Sequence, residues 1–203
     1  MNQKEFDLWA GSYDKSVGLS DQQNTYPFAG YRQVLGEIYR DVLSQPAKTV
    51  LDIGFGTGVL TAGLYQQGCQ IFGQDFSQRM IELVQEKMPQ ARLYQGDFSQ
   101  GLALPLTQRT YDAIVATYSL HHLEDGQKAA FLQSLLPLLN PGGRIYIGDV
   151  AFASRAELEA CRLAVGEDWD QEEFYFVYEK LKPLLPGLEF TPCSFCAGIL
   201  KLG

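Results

Sequence analysis

The stretch Val50-Leu-Asp-Ile-Gly-Phe-Gly-Thr-Gly58 constrains this 203-residue chain more than any other. Apolar residues of a strand run into an acid, Asp52, and glycines then alternate at Gly54, Gly56 and Gly58. A turn without side chains lets a ligand come within contact distance of the backbone. Val59, Leu60 and Leu64 continue as an apolar helical pattern. The loop therefore stands between a strand end and a helix N-terminus, where open α/β sheets form their nucleotide crevice. The dinucleotide fingerprint G-x-G-x-x-G would need its third glycine at position 59, which is Val59. A nicotinamide-dependent reductase is disfavoured on that ground.

The same alternation continues along the chain. Residues 49–53, 70–73, 92–95, 111–116 and 144–149 read as strands, and 59–67, 78–88 and 126–139 as helices. Ser77 is placed to cap the second helix and Asp125 the third. Pro137 should end the third helix early, and Asn140-Pro-Gly-Gly143 signals a turn before the fifth strand. This order predicts an α/β fold, a doubly wound and mostly parallel Rossmann-like sheet with right-handed crossovers. Residues 151–187 read as helical, with capping boxes at Ser154/Glu157 and Asp170/Glu173.

Composition narrows the function classes. Net charge is −8, from 16 basic and 24 acidic residues with no basic cluster. Nucleic-acid affinity rests on Lys and Arg neutralising phosphates, so no nucleic-acid partner is expected. No apolar run is long enough for a membrane span, and the first residues lack a signal-peptide core, so a cytoplasmic protein is expected. Of the four cysteines only Cys193 and Cys196 are close, and without a second pair they read as ordinary reduced thiols. The length suits a single domain, monomeric or homodimeric.

Five landmarks in order are Val50–Gly58 (the loop), Gly73-Gln-Asp-Phe-Ser77, Gly96-Asp-Phe98, Leu120-His-His-Leu123 and Leu139-Asn-Pro-Gly-Gly143. Together they resemble class I S-adenosylmethionine (SAM)-dependent methyltransferases over about half of the chain. Phe6-Asp-Leu-Trp-Ala10 with Tyr13-Asp14, and Ser194-Phe-Cys-Ala-Gly198, are similar to small uncharacterised bacterial methyltransferases of the YrrT type. The resemblance implies SAM as cofactor and S-adenosylhomocysteine (SAH) as product, an in-line attack on the sulfonium methyl, and an N-terminal helix closing over SAM. It also implies a terminal antiparallel hairpin. Only 16 residues run from Leu188 to Gly203, so that hairpin must be very short or partly missing and the sheet should have six or seven strands.

The chain supplies a residue for each part of SAM. Gly54, Gly56 and Gly58 allow close approach, and Asp52 can orient the loop or meet the ammonium. Asp75, 21 residues after Gly54 and at the end of the second strand, suits the ribose diol. Phe76 follows it. Asp97 can accept from the adenine amine while Phe98 packs on the ring, or Asp97 can simply stabilise a turn. Residues 1–45 carry Phe6, Trp9, Tyr13, Tyr26, Phe28, Tyr31 and Tyr39, which either cover a sheet edge or form an aromatic lid or cap in which Trp9 and Tyr13 meet SAM. Residues 46–150 would then be the cofactor-binding core and 151–203 the acceptor-side helices and terminal strands.

Catalytic residues are less defined. Tyr118, His121 and His122 follow the fourth strand, and Tyr13 joins them as a candidate. A histidine can act as general base near neutral pH, yet adjacent histidines on such a turn are often only packed and hydrogen-bonded. No His-x-x-x-His or other metal-ligand spacing is present, so no metal is expected. Ala116-Thr-Tyr-Ser119 differs from the Asn/Asp-Pro-Pro-Tyr of amino-methylating DNA enzymes. A small-molecule acceptor is expected, with a non-catalytic SAM-binding module as the alternative.

Overall fold

The computed structural model describes Val17, residues 20–46 and residues 49–203. Trp9 and Tyr13 lie outside the described residues, as do residues 1–16 and 18–19 of the expected lid.

Strands β1 (Thr49–Ile53), β2 (Gln70–Asp75), β3 (Arg92–Gln95), β4 (Tyr111–Thr117) and β5 (Leu139–Phe152) lie parallel in the order β3-β2-β1-β4-β5. β8 (Ala197–Leu202) continues the sheet antiparallel to β5, and β7 (Glu189–Pro192) closes it. The hairpin is thus short but complete, giving seven strands along the sheet. A two-residue β6 (Phe176–Val177) pairs with the end of β5 off this path.

Parallel strands covered on both faces need apolar residues on both faces. β1 does this with alternate residues. Val50 joins a core with Val34 and Ile38 of α1 (Tyr31–Ser44), Leu64 of α2 (Val59–Gln66) and Val84 of α3 (Gln78–Lys87). Leu51 and Ile53 join the opposite core with Leu106 of α4 (Leu104–Thr107) and Leu132 of α5 (Asp125–Leu135). α1 docks so closely on β5 that a Cβ on Gly148 would run into Val34 Cγ1. This part of the aromatic N-terminal segment is therefore a cover of the sheet.

Three local expectations change, while Pro137 ends the third helix early as expected. The third helix is capped by Glu124, not Asp125, because Gln127 reciprocates in a capping box and its Oε1 accepts from Glu124 N at 3.0 Å. That helix ends at Leu135 and a 3-10 turn containing Pro137 follows. Asn140–Gly143 lies within β5 as an irregularity, since Tyr111 faces Leu139 while Ala113 faces Arg144. Beyond β5, α6 (Arg155–Val165) starts at Ser154 as expected, but Asp170 and Glu173 open no helix. Asp170 Oδ1 accepts from Glu172 N at 2.8 Å, and the chain runs irregularly to β6 and the one-turn α7 (Tyr178–Leu181).

Cys193 and Cys196 sit in the turn between β7 and β8, and no disulfide is formed among the described residues. Burial pushes these two thiols up to about 11 and about 12, against a redox role. Among the described residues no helix is long and apolar enough to cross a membrane. Strand order reverses between β1 and β4, which opens a crevice at their carboxyl ends.

Candidate active site

A cavity of about 590 Å³ occupies that crevice. Loops after β1, β2, β3 and β4 form one side of it, and residues 26–31 and 168–175 the other.

The glycine loop forms the floor. Gly54, Gly56 and Gly58 have φ of 68°, 52° and 69°, left-handed values that strain any residue with a Cβ. A Cβ on Gly54 would stand 2.5 Å from Ser119 Cβ, whose hydroxyl donates to Ile53 O at 2.8 Å. A Cβ on Gly56 would meet nothing within 4 Å, because this residue faces the cavity. Gly58 stands behind the wall as the N-cap of α2, against Val84.

Asp75 is almost fully buried at the end of β2. Its Oδ2 accepts from Gly56 N at 2.8 Å and its Oδ1 from Ser77 N at 2.9 Å. Ser77 in turn caps α3 by accepting from Met80 N at 3.2 Å. Asp75 lines the cavity. Asp52 also lines the cavity. Burial, reinforced by the charge of Asp75 and opposed by a hydrogen bond from Thr61, pushes its carboxyl up to about 7. Its buried Oδ1 has no hydrogen-bond partner among the described residues.

Asp97 does stabilise a turn, accepting from Ser99 N at 2.8 Å, and it remains exposed at the cavity edge. Phe98 is buried beneath Gly54, and Phe76 is exposed on the wall.

The other half of the cavity is aromatic and titratable. Tyr118 takes a left-handed φ of 50°, and its ring packs 5.3 Å from Phe28 and 5.2 Å from Tyr31. Tyr26 stacks on Trp169 at 5.2 Å, and its hydroxyl pairs with that of Tyr175. His121 Nδ1 lies 2.7 Å from Asp149 Oδ1, and Nε2 lies 3.4 Å from Glu173 Oε1. Burial alone would lower the His121 imidazole, but the charge and hydrogen bond of Asp149, helped by Glu173, raise it overall. Enclosure and then the charge of His121 push His122 down to about 4. Burial raises the Glu173 carboxyl.

Glu173 and Asp149 are the residues that sequence reasoning missed as cavity groups. Glu173 reads as the partner of Asp170 in a capping box, and Asp149 as a strand end. Their histidine is 52 and 28 residues away in sequence, so no spacing pattern could reveal them. Backbone contacts bring them together: Phe174 N donates to His121 O at 2.8 Å, and buried Lys128 donates to Phe174 O. His121, His122 and Glu173 thereby place three potential ligand atoms within 4.8 Å of one another.

Residues 50–143 match a methyltransferase-domain family. An uncharacterized methyltransferase of Geobacillus kaustophilus is 38% identical over 163 residues, covering 80% of this chain and 71% of its own. One from Geobacillus thermodenitrificans is 34% identical over 194 residues, covering 92% and 87%. Magnesium protoporphyrin IX methyltransferase from Synechocystis, solved with bound SAH, superposes with a TM-score of 0.66 at 21% identity, covering 86% of this chain and 83% of that one. With the glycine loop, the reversed strand order and relatives of this identity and coverage, the chain belongs to the class I methyltransferase family.

Proposed function

We propose that this protein transfers the sulfonium methyl group of SAM to a small-molecule acceptor by in-line displacement. The observation that carries the reading is one cavity with two differently lined parts, one of glycines and carboxylates and one aromatic. In the first, Asp52 Oδ1, without a hydrogen-bond partner among the described residues, suits the SAM ammonium, the open face of Gly56 suits close approach, and Asp75 suits the ribose diol. Asp97 and Phe98 flank the place for adenine. When bound, SAM supplies an electrophilic methyl: an acceptor lone pair bonds to that carbon as the carbon–sulfur bond breaks, and SAH departs with the electron pair.

The second part is the acceptor's. The whole cavity, at about 590 Å³, falls within the range of small-ligand sites, about 300–1,000 Å³. Tyr26, Phe28, Tyr31 and Tyr118 give it flat apolar walls that displace water and hold the acceptor in one orientation. Positioning and water exclusion are the main aids such a transfer needs. The acidic net charge supports a small acceptor over a nucleic acid. Incubation with SAM and a panel of hydroxyl, thiol and amine acceptors, followed by SAH release, tests the reading. Turnover with a small metabolite is expected; SAM binding with no turnover across the panel would favour the non-catalytic binding module instead.

A further inference from the structure

We propose that His121, His122 and Glu173 bind one divalent transition-metal ion, of the zinc and cobalt class, at the acceptor end of the cavity. Each residue offers one ligand atom, and the three atoms lie within 4.8 Å of one another.

The one close pair of the three stands at a spacing that two ligands of one ion take. His121 Nε2 and Glu173 Oε1 are 3.4 Å apart. A charge-assisted hydrogen bond would draw them to about 2.7–2.9 Å. Two ligands each about 2.0–2.1 Å from a tetrahedral ion stand roughly 3.3 Å apart.

Support behind the ligands has the pattern of a metal centre. Asp149 is completely buried, and its Oδ1 holds His121 Nδ1 at 2.7 Å. A carboxylate on one ring nitrogen fixes the tautomer and turns the other nitrogen toward a metal. Asp149 is fixed in turn by Val150 N, which donates to the same oxygen at 2.8 Å. Glu173 is set by the next residue, whose N–H donates to His121 O at 2.8 Å and whose carbonyl accepts from Lys128. Buried carboxylate charge at Asp149 favours a cation nearby, and its Oδ2 has no hydrogen-bond partner among the described residues.

Two imidazoles and one carboxylate select the metal class. Calcium and magnesium take oxygen ligands, whereas imidazole suits zinc, cobalt, nickel and iron. Three protein ligands leave a fourth position toward the cavity, the mark of a reactive site rather than a structural one. On the methyltransferase reading, with which this consequence stands or falls, that position takes an acceptor hydroxyl or thiol. Its proton passes to solvent on binding the ion, and the freed lone pair takes the methyl group.

The test titrates chelator-treated, full-length protein with Co²⁺, read by visible ligand-field absorption, and with Zn²⁺ by calorimetry, both without SAM. Expected is one ion per chain, with His122→Ala and Glu173→Gln each weakening binding tenfold or more. Both side chains face the cavity, so circular dichroism should show folded variants. Asp149→Asn should weaken binding about 10–100-fold. Cys193→Ser with Cys196→Ser should leave it unchanged. Absence of saturable binding, or equal binding by the His122 and Glu173 variants, would overturn the proposal and leave an ordinary ion pair. Metal binding without methyl transfer would overturn only the proposed function.

Discussion

Asp75 Oδ2 accepts the Gly56 N–H at 2.8 Å, so the acid at the end of β2 holds the glycine loop at the end of β1. One carboxylate thus shapes the loop and remains on the cavity wall. Residues 19 apart in sequence become a single unit because β1 and β2 are parallel neighbours in register, with Asp52 opposite Gly73.

Replacement of Asp75 therefore acts twice. Asp75→Ala removes the loop contact and two acceptors for the diol, and should weaken SAM binding by roughly one to two orders of magnitude. Asp75→Asn keeps one acceptor oxygen and should lose about tenfold. Calorimetry on folded variants checks both, and an unchanged affinity would remove Asp75 from the cofactor site.

Asp52 sets a pH dependence. Its folded carboxyl, pushed up to about 7 chiefly by burial, lies above the ordinary value of about 3.9. The folded state then holds its proton more tightly than the unfolded chain, so this group's contribution falls as pH rises from about 4 to about 7 and is level above. The SAM ammonium would favour the carboxylate, so affinity should rise with pH over that window and binding should release a proton. Asp52→Asn should flatten both the stability and the affinity profile. Titrations in buffers of different ionisation enthalpy measure the proton, and a wild-type profile without slope would contradict the assignment.

Gly54→Ala should be more harmful than Gly56→Ala to the fold. Both strain a left-handed backbone, at a cost of about 1–3 kcal/mol. Only the first also drives a Cβ to 2.5 Å from Ser119 Cβ. Urea denaturation should rank them in that order, while both should lose SAM affinity; equal stabilities would mean that the segment after β4 yields at Ser119 without cost.

Lys128 is buried against Phe176, with its Nζ 4.6 Å from the ring centre, and it donates to Phe174 O. Burial lowers its ammonium to about 8. Lys128→Met keeps the apolar stem but orphans that carbonyl, and should cost about 1–3 kcal/mol by urea denaturation. A variant as stable as wild type would show that residues 173–175 find another anchor.

Much of this fold was legible because the parallel strands carry apolar runs, with β1 and β3 leading into Gly and β2 ending in Asp. Thr49–Ile53 and its glycine loop carry both the switch point and the cavity floor. Residues 170–177 were not legible in the same way. Asp170-Gln-Glu-Glu173 looks like a helix start, but Phe174-Tyr-Phe-Val177 offers no helical stripe, and His121 O and Lys128 hold the backbone away from helix. Tertiary bonds overrode a local cap signal. Asp149 and Glu173 stayed hidden because their chemistry depends on His121, a contact made by sheet topology and loop docking rather than by spacing.

Calorimetric titration of the purified chain with SAM, SAH and NAD tests the central claim most directly. Saturable binding of SAM and SAH near one per chain is expected, with none for NAD. NAD binding, or no binding of either adenosyl-sulfur ligand, would contradict the assignment of Asp52, Gly56 and Asp75 to a SAM site.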